Sequence, residues 1–213
     1  MSLLNDCVRC RGTDPHRLVG SSTLNPWETQ AYASPPFNRS AIRAAFAWTR
    51  ALRGKTVLVV HPFIASIRAQ LAKGGEALWG ELAPDVMPAS IQWKLVRAPM
   101  NLCALHEQES WREAYAELVR RVDAAGRFDV AAVSCGGLGM LLGAHLKATG
   151  RAAIYFGGAL QLWFGVVGKR WRAARMMQSN ANWAWTLPED VPNCTGASRP
   201  SSKLGDVSAY WSG

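Results

Sequence analysis

No uncharged stretch of this chain reaches the roughly 20 residues that a membrane-spanning helix needs. The stretch that raises the question, residues 152–168, is 17 residues long and is interrupted by Gln161 and by Gly157, Gly158, Gly165 and Gly168. It reads as buried strand followed by a loop, not as a span. No run of five or six basic residues occurs, although Lys and Arg number 24 against 15 Asp and Glu, a formal net charge of +9. The excess is scattered as single residues and pairs, so no nucleic-acid-binding arm is signalled and no specific nucleic acid is expected as partner. A basic surface still favours anionic ligands, such as the phosphates of a nucleotide. No second CxxC or HxxxH accompanies Cys7 and Cys10, and the remaining cysteines, Cys103, Cys135 and Cys194, are isolated. An odd, scattered set is not a disulfide framework, and a tetrahedral zinc site lacks half its ligands. No apolar segment follows a basic start, so no signal peptide is expected, and a reducing, cytoplasmic setting fits best. No internal repeat is present.

What is there is enough apolar material for a core: 49% of the 213 residues are hydrophobic and 18% are charged. Ten Trp is a high count, suited either to a core or to stacking on flat ligands. Residues 1–40, with Pro15, Pro26, Pro35 and Pro36 and no period, read as an irregular N-terminal tail; residues 41–213 read as the folded domain. Apolar spacing predicts a helix over 40–52 that stops at Gly54. The run Val57-Leu58-Val59-Val60, closed by Pro62, reads as a buried parallel strand. A short helix over 64–73 ends at Gly74-Gly75, and residues 91–99 give a second strand. Ser110 and Glu113 form a capping box for a helix that ends at Gly126. FDVAAVSCGG is a third strand running into glycines, LGMLLGAHLKATG a helix, and RAAIYFGG a fourth strand with a second glycine turn. Alternating strands and helices predict an α/β fold: a single Rossmann-like domain with a mainly parallel sheet flanked by helices.

Such sheets bind ligands beyond the carboxyl ends of their strands. Four loops end there: His61-Pro62-Phe63, Ala98-Pro99, Cys135 to Gly139, and Gly157 onward. Gly136, Gly137 and Gly139 precede a helix, where backbone and helix N-terminus can approach a phosphate. Their spacing is not that of GxGxxG, and tight strand-to-helix packing explains them equally well. After Gly157-Gly158 comes Gln161, one polar side chain in an apolar wall. Gly165 and Gly168 break any helix, and Lys169-Arg170 with Trp171 supply two cationic donors and a flat face. Arg forks onto a diphosphate and Lys meets it as a point charge; the plainer reading is a solvated basic pair. His61, near Ser66 and Gln70, is a candidate general base or a hydrogen-bonded loop anchor. Asn182 and Trp183 are placed to hold a sugar or to cover the sheet edge.

These residues carry a resemblance. The pattern HPF…S…Q, then FDVAAVSCGGLGMLLGAHLKATGRAAIYFGGALQLWFGVVGKRW, then Asn182-Trp183, Pro188 and the late Tyr210-Trp211, resembles a group of proteins associated with bacterial polysaccharide synthesis. Their signature is GxYG…G…GGxxQLLFGIxGKRW. The core is similar, more distantly, to glycosyltransferases of the D-type fold, which have a single Rossmann-like domain. The likeness covers about residues 55–211. It implies a glycosyltransferase-like protein that binds a nucleoside diphosphate sugar, with Gly136, Gly137, Gly139, Gly157, Gly158, Gln161, Gly165, Lys169, Arg170 and Trp171 lining the site; it leaves the glycan acceptor and any cofactor open. Leu138 stands where the group has Tyr, and the acidic DxE metal motif of D-type enzymes does not occur here, Asp129 and Asp206 being isolated. Metal is therefore not expected. Two other readings stay open: a non-catalytic binding module of a polysaccharide assembly, and a nucleotide-dependent enzyme of another class. A dinucleotide enzyme is disfavoured because no acidic residue stands about 20 positions beyond the glycine turn.

Overall fold

A computed structural model describes residues 47–100, 110–168 and 182–189. Its centre is a four-stranded, all-parallel sheet in the order β2-β1-β3-β4. The strands are β1 (Thr56–His61), β2 (Gln92–Arg97), β3 (Val130–Val133) and β4 (Ala153–Tyr155). The register sets Val57 beside Val130 and Val60 beside both Val96 and Val133. The α/β fold expected from the sequence is thus the fold observed.

Among the described residues, six α-helices connect and cover the strands: α1 (Ile64–Lys73), α2 (Gly75–Trp79), α3 (Ala83–Val86), α4 (Trp111–Ala124), α5 (Gly136–Ala148) and α6 (Leu160–Trp163). Both faces of the central strands are buried. Val57 and Val59 of β1 pack with Ile64 and Ile67 of α1, Leu78, Val86, and the segment holding Leu160, Leu162 and Phe164. On the other face Leu58 and Val60 pack with Leu118 and Val122 of α4 and Leu142 and Leu146 of α5. Alternate residues of one strand therefore feed two separate cores. This is why β1 reads as an unbroken apolar run and not as an alternating one. The helix α4 forms where its period puts Ala114, Leu118 and Val122 on one stripe. Ser110 caps it by accepting the Glu113 N–H at 3.2 Å, as the capping box predicts.

Three elements differ from the sequence reading. Of the helix expected over 40–52, the described part, Ala47–Leu52, is a 3-10 helix, a form suited to short pieces. It is pinned to α3, where Thr49 donates its hydroxyl to the Asp85 carbonyl and Arg50 pairs with the Asp85 carboxylate at 3.0 Å. The loop expected after β4 is helical, as a 3-10 turn (Gly157–Ala159) leading into α6. No β-branched residue stands between Ile154 and Val166, so Ala159, Leu160, Gln161 and Leu162 follow their helical preference. The short helices α2 and α3 carry too few residues to show a period in the sequence. No helix among the described residues is long and apolar enough to cross a membrane. The tail over residues 1–40 and the cysteines Cys7 and Cys10 lie outside the described residues.

Candidate functional site

The chain leaves β1 toward β2 on one side and leaves β3 toward β4 on the other. The carboxyl ends of β1 and β3, which are neighbours, are therefore the point where connections depart in opposite directions, the usual ligand position of this architecture. His61-Pro62-Phe63 continues the chain from β1 there and Ser134 to Gly137 continues it from β3. Hydrogen bonds hold these segments in place: Ser134 N–H donates to Val60 O at 2.9 Å and Ala98 N–H to His61 O at 3.2 Å. The Ser134 hydroxyl donates to the Gly157 carbonyl, tying the turn after β4 to the same edge.

The N-terminus of α5 lies at this edge, directly after β3. Gly136 and Gly137 are exposed, and a Cβ built on either meets nothing within 4 Å. Gly136 has φ +59°, a left-handed conformation that glycine adopts without the Cβ penalty. The first turn of α5 contains no acidic side chain, and Cys135 makes no side-chain capping bond. Its leading N–H groups are thus presented without an internal anion. Burial pushes the Cys135 thiol up to about 12, so it stays protonated and neither caps the helix as an anion nor acts as a nucleophile at neutral pH.

Gly139 has a different task. A Cβ there would lie 2.8 Å from Tyr155 Cε2 and 3.1 Å from Val133 Cγ1. The bare backbone lets α5 settle against β4, and the Tyr155 hydroxyl reaches the Gly136 carbonyl at 3.3 Å. Tyr155 thereby buttresses the glycine turn while its side remains 39% exposed. Neither Tyr155 nor Ser134 stood out in the sequence; the available signal was a glycine, Gly139, one helical turn into α5, facing a strand that ends in an aromatic.

His61 is fixed. It is 2% exposed, its Nδ1 accepts the Phe63 N–H at 2.9 Å, and its ring packs on Phe63 at 5.1 Å between centroids. Burial lowers its pKa from 6.5 to about 3, so the imidazole is neutral at physiological pH with Nδ1 already engaged. This is the geometry of a loop anchor; a general base would need a free nitrogen and a pKa near the working pH.

Gly157, with φ +58°, and Gly158 begin the turn that carries Gln161, whose side chain is fully buried. Gly165, φ +67°, sits beneath Gln70 and Trp185: a Cβ there would come within 3.0 Å of Gln70 Nε2 and 3.2 Å of the indole. Gln70 Nε2 donates to the carbonyls of Gly165 at 3.0 Å and Ala184 at 2.9 Å. Asn182 holds the same closure. Its amide donates to Ala77 O and Leu78 O at 3.0 and 3.2 Å and accepts the Ala184 N–H at 2.8 Å. The structure thus gives Asn182 and Gly165 roles in closing the fold. It brings Gly136, Gly137, Gly157 and Gly158 to the carboxyl edge. Lys169, Arg170 and Trp171 lie outside the described residues.

Among the described residues no group of three or more His, Cys, Asp or Glu side chains comes together to hold a metal. Comparison with protein-family models, with curated proteins and with solved structures gives no match to this chain.

Proposed function

We propose that this protein binds a nucleoside diphosphate sugar at the carboxyl edge of its sheet, as a glycosyltransferase-like protein of glycan or polysaccharide synthesis related to the group its sequence resembles. The observation that carries the reading is the N-terminus of α5, which lacks a side-chain cap and begins with the exposed Gly136 and Gly137, at the carboxyl edge where β1 and β3 are neighbours. Helix N–H groups there match the charge and reach of a phosphate. The basic balance of the chain, +9 overall, raises the local concentration of such anions. Lys169 and Arg170 follow Gly168 directly in the chain and are proposed to neutralise the departing diphosphate, the task a metal performs in other transferases.

His61, the candidate base, is neutral and internally bonded, and this favours the second reading, a non-catalytic sugar-nucleotide-binding module. Calorimetric titration with the glucose conjugates of UDP, ADP, GDP, CDP and dTDP tests binding. Arg170→Ala, which removes a charge-assisted pair of hydrogen bonds of about 1.5–3 kcal/mol each, is expected to weaken it at least about tenfold. Gly137→Leu, which fills the space before α5, is expected to do the same. Parent-like affinity in both variants would remove the reading. Release of free nucleoside diphosphate by the parent would separate the enzyme from the module.

A further inference from the structure

Three buried amide atoms have no hydrogen-bond partner among the described residues: Oε1 and Nε2 of Gln161, and Oε1 of Gln70. Both side chains are fully buried. Trp48 Nε1, in the same core, is the other buried side-chain atom without a partner among the described residues, but Gln161 alone has both a donor and an acceptor unpaired, while several polar groups near it are engaged. His61 Nδ1 takes the Phe63 N–H, the Ser66 hydroxyl takes the Glu189 N–H, Ser134 gives to Gly157 O, and Gln70 Nε2 gives to two carbonyls. An amide removed from water with neither end bonded is a standing penalty, and native proteins keep few of them without a use.

The orphaned amide of Gln161 is placed by the same elements that build the candidate site. It follows Gly157, whose carbonyl is tied to the end of β3, by four residues of helical chain. Its own backbone carbonyl accepts Phe164 N–H at 3.1 Å and Val166 N–H at 3.0 Å, so it sits within the turn that Gly165 and Gln70 close. Its chain neighbours Leu160 and Leu162 are apolar and buried, and no charged residue occurs from Ala152 to Gly168. The segment brings no charge of its own to meet a phosphate. An uncharged group with a donor and an acceptor side by side would satisfy both ends of the amide, as Gln does on the edge of adenine.

Resting on the reading above, we propose that Gln161 is the specificity residue of the site: its amide reads the uncharged part of the ligand, a nucleobase edge or a pair of sugar hydroxyls, while the N-terminus of α5 takes the phosphates. The free protein carries the unpaired amide as a cost, and the bound ligand removes it.

The test is the full chain with Gln161→Met, which keeps the length of the side chain and deletes both polar atoms, and with Gln161→Leu as a second shape. Each is melted alone and with the glucose conjugates of UDP, ADP, GDP, CDP and dTDP, and with the corresponding free diphosphates. The ligand-free Gln161→Met protein is expected to melt with the parent or a few degrees above it, because an apolar replacement of an unsatisfied polar group is neutral or stabilising. The affinity for the preferred conjugate is expected to fall at least about tenfold, since a site built to bond a polar group discriminates strongly when that bond is lost. An equal loss for the diphosphate and its conjugate assigns Gln161 to the base; a loss confined to the conjugate assigns it to the sugar. Melting of both ligand-free variants several degrees below the parent would overturn the proposal, because the amide would then be satisfied inside the fold, by water or protein. Parent-like affinity in the variants would overturn it while leaving sugar-nucleotide binding intact. A parent that binds none of these compounds would overturn both.

Discussion

The backbone of Gly139 lies against the ring of Tyr155, so closely that a Cβ on Gly139 would come within 2.8 Å of Tyr155 Cε2. This contact joins the first turns of α5 to the end of β4 and holds the glycine turn at the sheet's carboxyl edge. Gly139→Ala overpacks it against both Tyr155 and the buried Val133, and is expected to cost about 1–3 kcal/mol in chemical denaturation. Gly137→Ala, which meets open space, is expected to stay within about 0.5 kcal/mol of the parent. Equal effects of the two substitutions would show that the glycines are not divided between packing and site.

Gln70 closes the fold through Gly165 O and Ala184 O, and each carbonyl keeps a second donor, Thr186 N–H for the first and the Lys73 ammonium for the second. Gln70→Leu therefore leaves no carbonyl orphaned. The expected loss is that of two net hydrogen bonds, about 1–3 kcal/mol by denaturant titration. Gln161→Met is expected to respond in the opposite direction, because Gln161 has both amide atoms unpaired among the described residues, whereas Gln70 has Nε2 bonded twice and only Oε1 unpaired.

His61 makes stability depend on pH. Its pKa falls from 6.5 to about 3 on folding, from burial, so between those values the unfolded chain holds a proton that the folded chain does not. Stability is full above about pH 6.5 and declines as the pH falls toward 3, with a limiting slope of ~1.4 kcal/mol per pH unit from this group. His61→Asn, which retains an acceptor for the Phe63 N–H, is expected to melt below the parent at pH 7 and to lose less stability than the parent between pH 6.5 and 4. Parallel melting curves for the two proteins across that range would contradict the burial of a neutral imidazole.

At the opposite, amino-terminal edge of the sheet, Asp129 accepts the Thr56 N–H at 2.8 Å and pairs with Lys55 at 3.4 Å. The Thr56 hydrogen bond, with help from Lys55, holds its pKa below the ordinary carboxylate value of 3.8. Its stabilising contribution is present above that value and disappears as the pH falls through the lowered one. Asp129→Asn is expected to reduce the melting temperature at pH 7 and to leave nucleotide-sugar affinity unchanged, because this edge is at the opposite end of the strands from the candidate site. A large affinity loss would place the ligand at the wrong end of the sheet.

Sheet and principal helices were legible from the sequence because their signals are local. The run Val57 to Val60 could only be a strand buried on both faces, and Ser110 with Glu113 marked a helix start that the structure reproduces at 3.2 Å. The helical turn after β4 was missed because glycines and aromatics mask a helix only four residues long. The glycines of the candidate site were legible as a group, but not their division. Gly137 faces open space and Gly139 faces Tyr155, a difference set by a strand that returns 16 residues later. Asn182 looked like a ligand residue because polar and aromatic residues surround it. Only the fold shows its amide engaged with Ala77, Leu78 and Ala184. His61, at the carboxyl end of β1, read from the sequence equally as a base or as a loop anchor, and its burial, which a single sequence does not display, favours the anchor.

The central claim is that a sugar nucleotide occupies the carboxyl edge beside α5, and backbone amide chemical shifts during titration with the five nucleoside diphosphate glucoses test it most directly. The largest shifts are predicted at Gly136, Gly137 and Leu138, with a second group at Gly157 and Gly158, saturating together at one affinity. Saturable shifts centred instead on Lys55, Thr56 and Asp129, or no shift with any of the five compounds, would contradict the account.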